Sequence, residues 1–317
     1  MYTIKQPSKI IFGKHSAKSY KFLDDCLLIT TKGTQKRGHV DYLGLETNYI
    51  FNGVEPNPAI ETVEEIISAF KNVKISQVIG LGGGSVLDVA KYVSYKLHKF
   101  KIMIPTTFGS GSEVTAISVL KVNGRKRSFH DNNLLADIAI IDPYFIKNSP
   151  QEIIKNSAID AAAQCTEGFD SKLGNQYTQF LCKKAFEIIE NAILNENYEL
   201  LPFGSLLAGL GFGNCSTTLG HAISYVFSNE GISHGHALAF TTTVAHRFNN
   251  SIFYERFKTL VHKLKFSNII LRGNLHEASE LILTDRKHLD NNPKVVTKND
   301  LIYLLNIINS GNALEQF

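Results

Sequence analysis

Residues 81–91 read Leu-Gly-Gly-Gly-Ser-Val-Leu-Asp-Val-Ala-Lys, a glycine-rich turn followed by the pattern of a helix. It follows a short apolar run at 77–80, which is typical of a buried parallel strand. Gly82, Gly83 and Gly84 leave backbone N–H groups unshielded where a helix is predicted to begin. Exposed N–H groups at the positive end of a helix favour binding of a phosphate or pyrophosphate.

A second glycine-rich loop follows the next predicted strand. Residues 105–115 read Pro-Thr-Thr-Phe-Gly-Ser-Gly-Ser-Glu-Val-Thr, after the apolar run 102–104. The loop supplies three hydroxyl groups, from Thr106, Thr107 and Ser112. Two anion-binding turns after neighbouring strands indicate one long phosphorylated ligand, and the nicotinamide dinucleotide NAD(P) is the expected cofactor.

The rest of the sequence divides into two parts with different patterns. Short apolar runs alternate with amphipathic stretches up to residue 142, which predicts a mostly parallel sheet covered by helices. Asn123-Gly124 predicts a hairpin turn. The later pattern is helical only, with segments at 151–170, 176–194, 202–228, 234–249 and 252–265, and one more at 301–308. We therefore predict an α/β dinucleotide-binding domain at 1–145 and an all-helical domain at 146–317.

The composition is that of an ordinary globular protein. The 317 residues are 44% hydrophobic and 20% charged, with a net charge of +4 that argues against nucleic acid or membrane as a partner. The four cysteines lack CxxC spacing, and no segment has the pattern of a signal peptide or a membrane span. We expect a cytoplasmic enzyme with reduced thiols, and a homodimer is the default expectation for it.

The two loops, with ADIAIIDP at 136–143 and HAISYVFSNEGISHGHA at 221–237, resemble the iron-containing (group III) alcohol dehydrogenases. The resemblance runs from about Lys9 to Phe240. It implies the dehydroquinate synthase-like fold of that family, with a metal site and the nicotinamide meeting in a cleft between the two domains. Family members generally run longer through the helical domain, so the chain is expected to be shortened at its C-terminus. The string at 221–237 more closely resembles the branch that includes phosphonoacetaldehyde reductases.

The resemblance also implies a set of metal ligands. Asp160, His221 and His234 match three of the family's four ligands, whereas Gln164 stands at the position of a histidine. Asp160 and Gln164 share one helix face, because they are four residues apart. In one reading the site holds Fe²⁺, or alternatively Zn²⁺, with Gln164 or a water as a weak fourth ligand. In the other reading the metal is lost.

Two further side chains near the ligand motif are candidate catalytic residues. Tyr225 stands where many family members have a histidine, and it could donate a proton to the developing alkoxide. The alternative is an aromatic packing residue. For His236, a place near the nicotinamide or in a proton relay competes with a role in supporting His234.

The same resemblance distributes the cofactor contacts over the two loops. Gly83, Gly84 and Ser85 would hold the pyrophosphate, and Thr106 and Thr107 would lie near the nicotinamide ribose. Asp88 is implied to approach the nicotinamide end, with Lys91 anchoring it, and the alternative is a surface ion pair. The second predicted strand ends at Thr31-Lys32 without an acidic residue, which favours NADP over NAD.

The implied reaction is reversible hydride transfer between the nicotinamide and a small aldehyde, which is reduced to an alcohol. A phosphonate- or phosphate-bearing aldehyde would fit the branch, with a basic partner at 125–127 or at Arg247. Two alternatives remain. One is a non-catalytic or metal-independent dinucleotide-binding relative, and the other is an enzyme similar to glycerol-1-phosphate dehydrogenase.

Overall fold

The computed structural model describes residues 1–47 and 49–315, and the chain forms two compact units. The first comprises Thr3–Pro150 together with Met1, and the second begins at Gln151 and includes Tyr2. The predicted boundary at 145/146 falls in the short 3₁₀ helix Pro143–Ile146, just before this division. In the described parts of the chain, no helix combines the length and the apolar character needed to cross a membrane.

The first unit is built on a six-stranded parallel sheet, as the alternating pattern predicts. Its spatial order is β1-β8-β5-β4-β2-β3. A separate antiparallel pair is formed by β6 and β7. The strands are β1 (Lys9–Phe12), β2 (Cys26–Ile29), β3 (Tyr49–Phe51), β4 (Gln77–Gly82), β5 (Phe100–Pro105), β6 (Ile117–Val122), β7 (Arg125–His130) and β8 (Ile138–Ile141).

Burial explains which strands the sequence predicts and which it does not. Every residue of β2, β4 and β8 is buried, because helices cover a parallel sheet on its faces. The edge strand β1 is missing from the prediction, because Lys9 and Phe12 at its two ends are exposed. The helices of this unit are α1 (Ser16–Ser19), α2 (Lys32–Lys36), α3 (His39–Tyr42), α4 (Ile60–Phe70) and α5 (Gly84–Leu97).

The hairpin turn predicted at Asn123-Gly124 is confirmed. Val122 pairs with Arg125 across it, so the turn contains two residues. Both turn residues have positive φ, 51° for Asn123 and 76° for Gly124. Asparagine and glycine are the residues that tolerate this left-handed conformation, which matches the twist of a two-residue hairpin.

The second unit is helical, and the predicted fold class is thereby confirmed. One prediction is wrong: the segment 202–228 is two helices, because the chain turns between Gly213 and Thr218, where Ser216 has a φ of 65°. Two short helices, Leu275–Leu283 and Arg286–Asn291, were not predicted. The helices are α6 (Gln151–Asp170), α7 (Gln176–Leu194), α8 (Leu201–Phe212), α9 (Leu219–Asn229), α10 (His234–Asn249), α11 (Tyr254–Leu264), α12 (Leu275–Leu283), α13 (Arg286–Asn291) and α14 (Lys298–Asn309).

Candidate functional site

The two glycine-rich loops lie side by side at the carboxyl ends of β4 and β5, which are neighbouring strands. A Cβ atom on Gly83 would lie 2.9 Å from the hydroxyl oxygen of Thr107. One on Gly84 would lie 2.8 Å from the hydroxyl oxygen of Ser110. Glycine is therefore needed at both positions, because the second loop packs directly on the first.

The first loop also has the features that a diphosphate requires. α5 begins at Gly84, and no side chain caps its first turn. An accessible and uncapped start of a long helix fits the pyrophosphate of a dinucleotide. The loop residues that are partly exposed are Gly83, Gly84, Ser85, Thr107 and Ser110. Gly82 and Thr106 are buried, and the N–H of Thr106 donates to the carbonyl oxygen of Gly82 at 2.9 Å, so they support the turn.

Lys91 does not reach a cofactor, because its side chain is fully buried beneath the second loop. Its Nζ donates to the carbonyl oxygens of Ser112 at 2.8 Å, Thr115 at 3.3 Å and Ile117. It also lies 3.3 Å from Oδ1 of Asp88. Burial lowers the pKa of Lys91, and Asp88 partly offsets this. The prediction that Lys91 contacts the cofactor is wrong, and the alternative of a surface ion pair is wrong as well.

The side chains of Asp88 and Ser112 also form their hydrogen bonds inside the protein. The hydroxyl of Ser112 donates to Oδ1 of Asp88 at 2.6 Å, and the N–H of Val119 donates to Oδ2 at 3.0 Å. Both residues are buried. Their predicted contact with the cofactor is corrected to a bracing role: with Lys91 they fix the loop that packs on the pyrophosphate turn.

We expect Lys91→Met to lower the free energy of unfolding by about 3–5 kcal/mol, because it removes one partner of a buried ion pair. Urea denaturation followed by circular dichroism measures this. Lys96→Met is the matched control, since Lys96 is exposed on the same helix. Equal stabilities of the two variants would contradict the bracing role.

Thr31 caps the first turn of α2, directly after β2. Its Oγ1 accepts from the N–H of Thr34 at 2.9 Å. The exposed Arg37 folds back onto the same turn, where Nη2 donates to the hydroxyl of Thr34 at 3.4 Å. A Cβ atom on Gly33 would lie 3.4 Å from Nη1 of Arg37. The structure therefore adds a guanidinium beside the predicted Thr31, which the sequence alone did not single out.

Three of the predicted metal ligands converge in the helical unit. Asp160 comes from α6, His221 from α9 and His234 from the first position of α10. Oδ1 of Asp160 lies 4.0 Å from Nε2 of His221 and 3.9 Å from Nε2 of His234. Two donor atoms that share an ion at about 2.0–2.2 Å from each are separated by roughly 3–4 Å. One carboxylate and two imidazoles at this spacing fit a divalent metal such as Fe²⁺ or Zn²⁺.

Glu167 orients His221 from behind. Its Oε2 forms a short hydrogen bond with Nδ1 of His221, and its Oε1 accepts from the N–H of Gly220 at 2.5 Å. Burial raises the pKa of Glu167, but His221 more than offsets this, so the pKa lies below its usual value. A carboxylate on Nδ1 leaves Nε2 as the ligand atom. The only signal for Glu167 in the sequence is its position, since it follows Asp160 by two helical turns.

Close backbone contact fixes His234 opposite Asp160. A Cβ atom on Gly235 would lie 2.2 Å from the carbonyl oxygen of Asn156, one turn before Asp160 on α6. Oδ1 of Asn156 accepts from the N–H of His236 at 2.9 Å and from the hydroxyl of Ser233 at 2.6 Å. The start of α10 is thus pinned to α6, which brings the ligand atoms of the two helices together.

Gln164 acts as a hydrogen-bond donor to Asp160. The side chain is buried, and its Nε2 lies 2.8 Å from Oδ1 of Asp160, the same oxygen that faces both histidines. Its amide nitrogen thus faces the ligand set, and an amide nitrogen is not a metal ligand. The role of Gln164 as a ligand stays a prediction, and the candidate ligands that converge here are Asp160, His221 and His234.

Two other rings lie beside the ligand set. The ring of Tyr225 stacks on His234, with centroids 6.2 Å apart and planes at 18°. The ring of His288, from α13, lies 6.3 Å from His221 and 5.8 Å from Tyr225. The structure thus places Tyr225 next to the ligands, and its catalytic role stays a prediction. His288 was missed, because nothing in the sequence links the polar segment after 285 to this site.

His236 is not brought to the ligand set. Its Nε2 is hydrogen-bonded to the carbonyl oxygen of Ser267 at 2.6 Å, and its ring stacks on Phe266. It follows His234 by two residues on α10, so the two side chains point in nearly opposite directions. The alternative of supporting His234 is wrong on this ground, and a place near the nicotinamide stays a prediction. Arg247 is 13 residues beyond His234 on α10, about 20 Å along the helix, and does not lie at the ligand set.

We expect Gln164→His to tighten Zn²⁺ binding by on the order of 10- to 100-fold, because a fourth imidazole replaces an amide donor. Competition with a chromophoric chelator measures the dissociation constant. Gln151→His, an exposed position on the same helix, is the control and should leave the constant unchanged. Identical affinities for the two variants would show that Gln164 does not face the ion.

Comparison with known proteins agrees with this geometry. The model of the family described as iron-containing alcohol dehydrogenase matches residues 7–143, and that of its C-terminal domain matches residues 154–286. The 4-hydroxybutyrate dehydrogenase of Clostridium kluyveri is 32% identical over 252 residues, covering 69% of this chain and 65% of that protein. The 1-propanol dehydrogenase PduQ of Citrobacter freundii is 32% identical over 217 residues, covering 63% and 59%. The chain therefore spans less than two thirds of the length of these relatives.

Solved structures show the same fold. An iron-containing alcohol dehydrogenase from Thermotoga maritima superposes with a TM-score of 0.87 at 24% identity, covering 98% of this chain and all of the other. The sulfoacetaldehyde reductase of Bifidobacterium kashiwanohense, solved in complex with NAD⁺, gives a TM-score of 0.88 at 23% identity and covers 98% and 99%. At this identity the likeness establishes the architecture.

Proposed function

The chain belongs to the iron-containing alcohol dehydrogenase family, and we propose that it is an NAD(P)-dependent and metal-dependent oxidoreductase. The proposed reaction is the reduction of a small aldehyde to an alcohol by reversible hydride transfer from the nicotinamide. The observation that carries the proposal is the convergence of Asp160, His221 and His234, with Glu167 fixed behind His221.

Each side chain has a defined part in this proposal. Asp160, His221 and His234 would hold the ion, which when bound supplies a Lewis acid that polarises the substrate's carbonyl oxygen. Glu167 keeps His221 in the orientation that offers Nε2. Tyr225, stacked on His234, donates a hydrogen bond to the substrate oxygen as negative charge develops on it. The accessible N–H groups at 83–85 bind the pyrophosphate.

We further propose that the substrate is a small aldehyde that carries an acidic group, a phosphonate among them. Two similar proteins support this class, because they are named for 4-hydroxybutyrate and for sulfoacetaldehyde. The basic partner of such a group is not Arg247, which lies too far along α10. The homodimer and the cytoplasmic location expected from the sequence stay predictions.

We expect the purified protein to oxidise NADPH or NADH when given one of four aldehydes: butanal, succinic semialdehyde, sulfoacetaldehyde or phosphonoacetaldehyde. Absorbance at the nicotinamide band measures the rate, and elemental analysis measures the metal. Asp160→Ala combined with His221→Ala should abolish both metal content and turnover, because two of three ligands are lost. The double variant should still bind NADPH, since its loops are untouched.

Other outcomes separate the alternatives. Turnover by a protein that holds no metal and rejects added Fe²⁺ and Zn²⁺ would contradict the metal mechanism and leave Tyr225 as the acid. NADPH binding without turnover of any aldehyde would favour the non-catalytic reading. Reduction of dihydroxyacetone phosphate in preference to the four aldehydes would favour the reading as a glycerol-1-phosphate dehydrogenase-like enzyme.

We propose NADP as the preferred coenzyme. Thr31 and Lys32 follow β2 without an acidic residue, and Arg37 folds back onto the turn that Thr31 caps. An arginine at this place accommodates the 2′-phosphate of NADP, which a carboxylate would repel.

We expect Arg37→Gln to raise the KM for NADPH about tenfold, as the loss of one charge-assisted hydrogen bond implies, and to leave the KM for NADH unchanged. Steady-state kinetics with both coenzymes measure this. Lys36→Gln, exposed on the same helix, is the control. An equal rise with both coenzymes would show that Arg37 acts on the fold of the turn and not on the 2′-phosphate.

A further inference from the structure

His288 is a buried histidine whose ring is held at one edge only. It lies on the short helix α13, and 6% of the residue is exposed. Its Nδ1 is 2.7 Å from Oδ2 of Asp285, the residue that caps the same helix. Its backbone N–H donates to Oδ1 of Asp285 at 3.4 Å. The ring is therefore fixed in place by Asp285 through Nδ1.

This contact settles which ring nitrogen carries the hydrogen. An ionised carboxylate can only accept hydrogen bonds, so Nδ1 of His288 is the donor, and in the neutral form of an imidazole Nε2 then offers a lone pair. Within residues 1–47 and 49–315, no group forms a hydrogen bond with Nε2. Nε2 is not one of the fully enclosed side-chain atoms that lack a partner, so a ligand can reach its lone pair.

The surroundings of His288 show where that group would be. Its ring stacks on His221 at 21° and meets the edge of Tyr225 at 71°. Tyr225 in turn stacks on His234, and the rings of His221 and His234 are 5.5 Å apart. The four rings thus form two stacked pairs packed edge to face, and two of the four rings are metal ligands. The ring of His288 therefore lies beside two of the candidate metal ligands, and its Nε2 has no hydrogen-bond partner among the described residues.

On the basis of the proposed function, we propose that His288 is a substrate-binding residue whose Nε2 accepts a hydrogen bond from the hydroxyl group of the bound alcohol. Asp285 is the positioning residue that holds the ring. An aldehyde oxygen has no hydrogen to donate, so this contact distinguishes the alcohol from the aldehyde. His288 would therefore stabilise the alcohol complex and leave the affinity for the aldehyde unaffected.

Two amide variants test the Nδ1 edge and the Nε2 edge of the His288 ring separately. In His288→Asn the short amide keeps a donor for Asp285 and loses the distal acceptor. In His288→Gln the longer amide places an acceptor oxygen near the former position of Nε2. We expect His288→Asn to raise the inhibition constant of 1-butanol against the enzyme–NADPH complex by about 10- to 100-fold, as the loss of one buried hydrogen bond implies. His288→Gln should recover part of this loss.

The control measurements distinguish a structural role of His288 from the proposed role in binding the alcohol. The KM for butanal and the metal content should match the wild type in both variants, as they should in His276→Asn, an exposed position on α12. An unchanged inhibition constant in His288→Asn would overturn the inference. So would a parallel loss of butanol binding, butanal binding and metal, because that pattern indicates packing on His221. A wild-type protein that turns over no aldehyde would overturn the proposed function, and this inference with it.

Discussion

The helical unit is organised around the hydrogen bonds that the buried carboxylate of Glu167 accepts. This carboxylate is completely enclosed, yet it stays ionised because it accepts from the N–H of Gly220 and binds Nδ1 of His221. The hydroxyl of Thr218 adds a third donor at 3.1 Å. One buried charge therefore stabilises the first turn of α9 and orients the histidine that this turn carries. A buried carboxylate without such donors would be strongly unfavourable, so the site and the local fold cannot be separated.

Structural features that depend on residue spacing along one strand or helix can be predicted well from the sequence. The glycine loops follow buried strands, and parallel strands end at one edge of a sheet, so their proximity follows from topology. Asp160, His221 and His234 were placed by resemblance, and the helices bring them together. The direction of the Gln164 amide was not predictable, because it depends on which end of the amide Asp160 attracts. His288 was not predictable either, since it reaches the site through tertiary packing of a six-residue helix.

Lys91 shows why the role of a polar residue is difficult to predict from the sequence. A lysine on a helix after a phosphate-binding turn suggests a contact with the ligand, and one three residues after an aspartate suggests a surface pair. Here the ammonium group is buried, and three carbonyl oxygens and Asp88 surround it. Those carbonyls belong to the segment from Ser112 to Ile117, which connects the second glycine-rich loop to β6 and has buried backbone acceptors that need partners. The lysine satisfies them from inside, which no periodicity in the sequence reveals.

The contact between Gly235 and Asn156 has a consequence for how related sequences are judged. The presence of ligand residues in a sequence is weak evidence for a metal site. Aspartate and histidine are common, and a nearby residue of similar chemistry can replace either of them. The position between His234 and His236 tolerates no side chain, since a methyl group there would overlap the backbone of α6. A related chain that keeps Asp160, His221 and His234 but has alanine at position 235 must separate the two helices. Its three donors would then be present in the sequence, but the ligand atoms of His234 and Asp160 would lie farther apart than they do here.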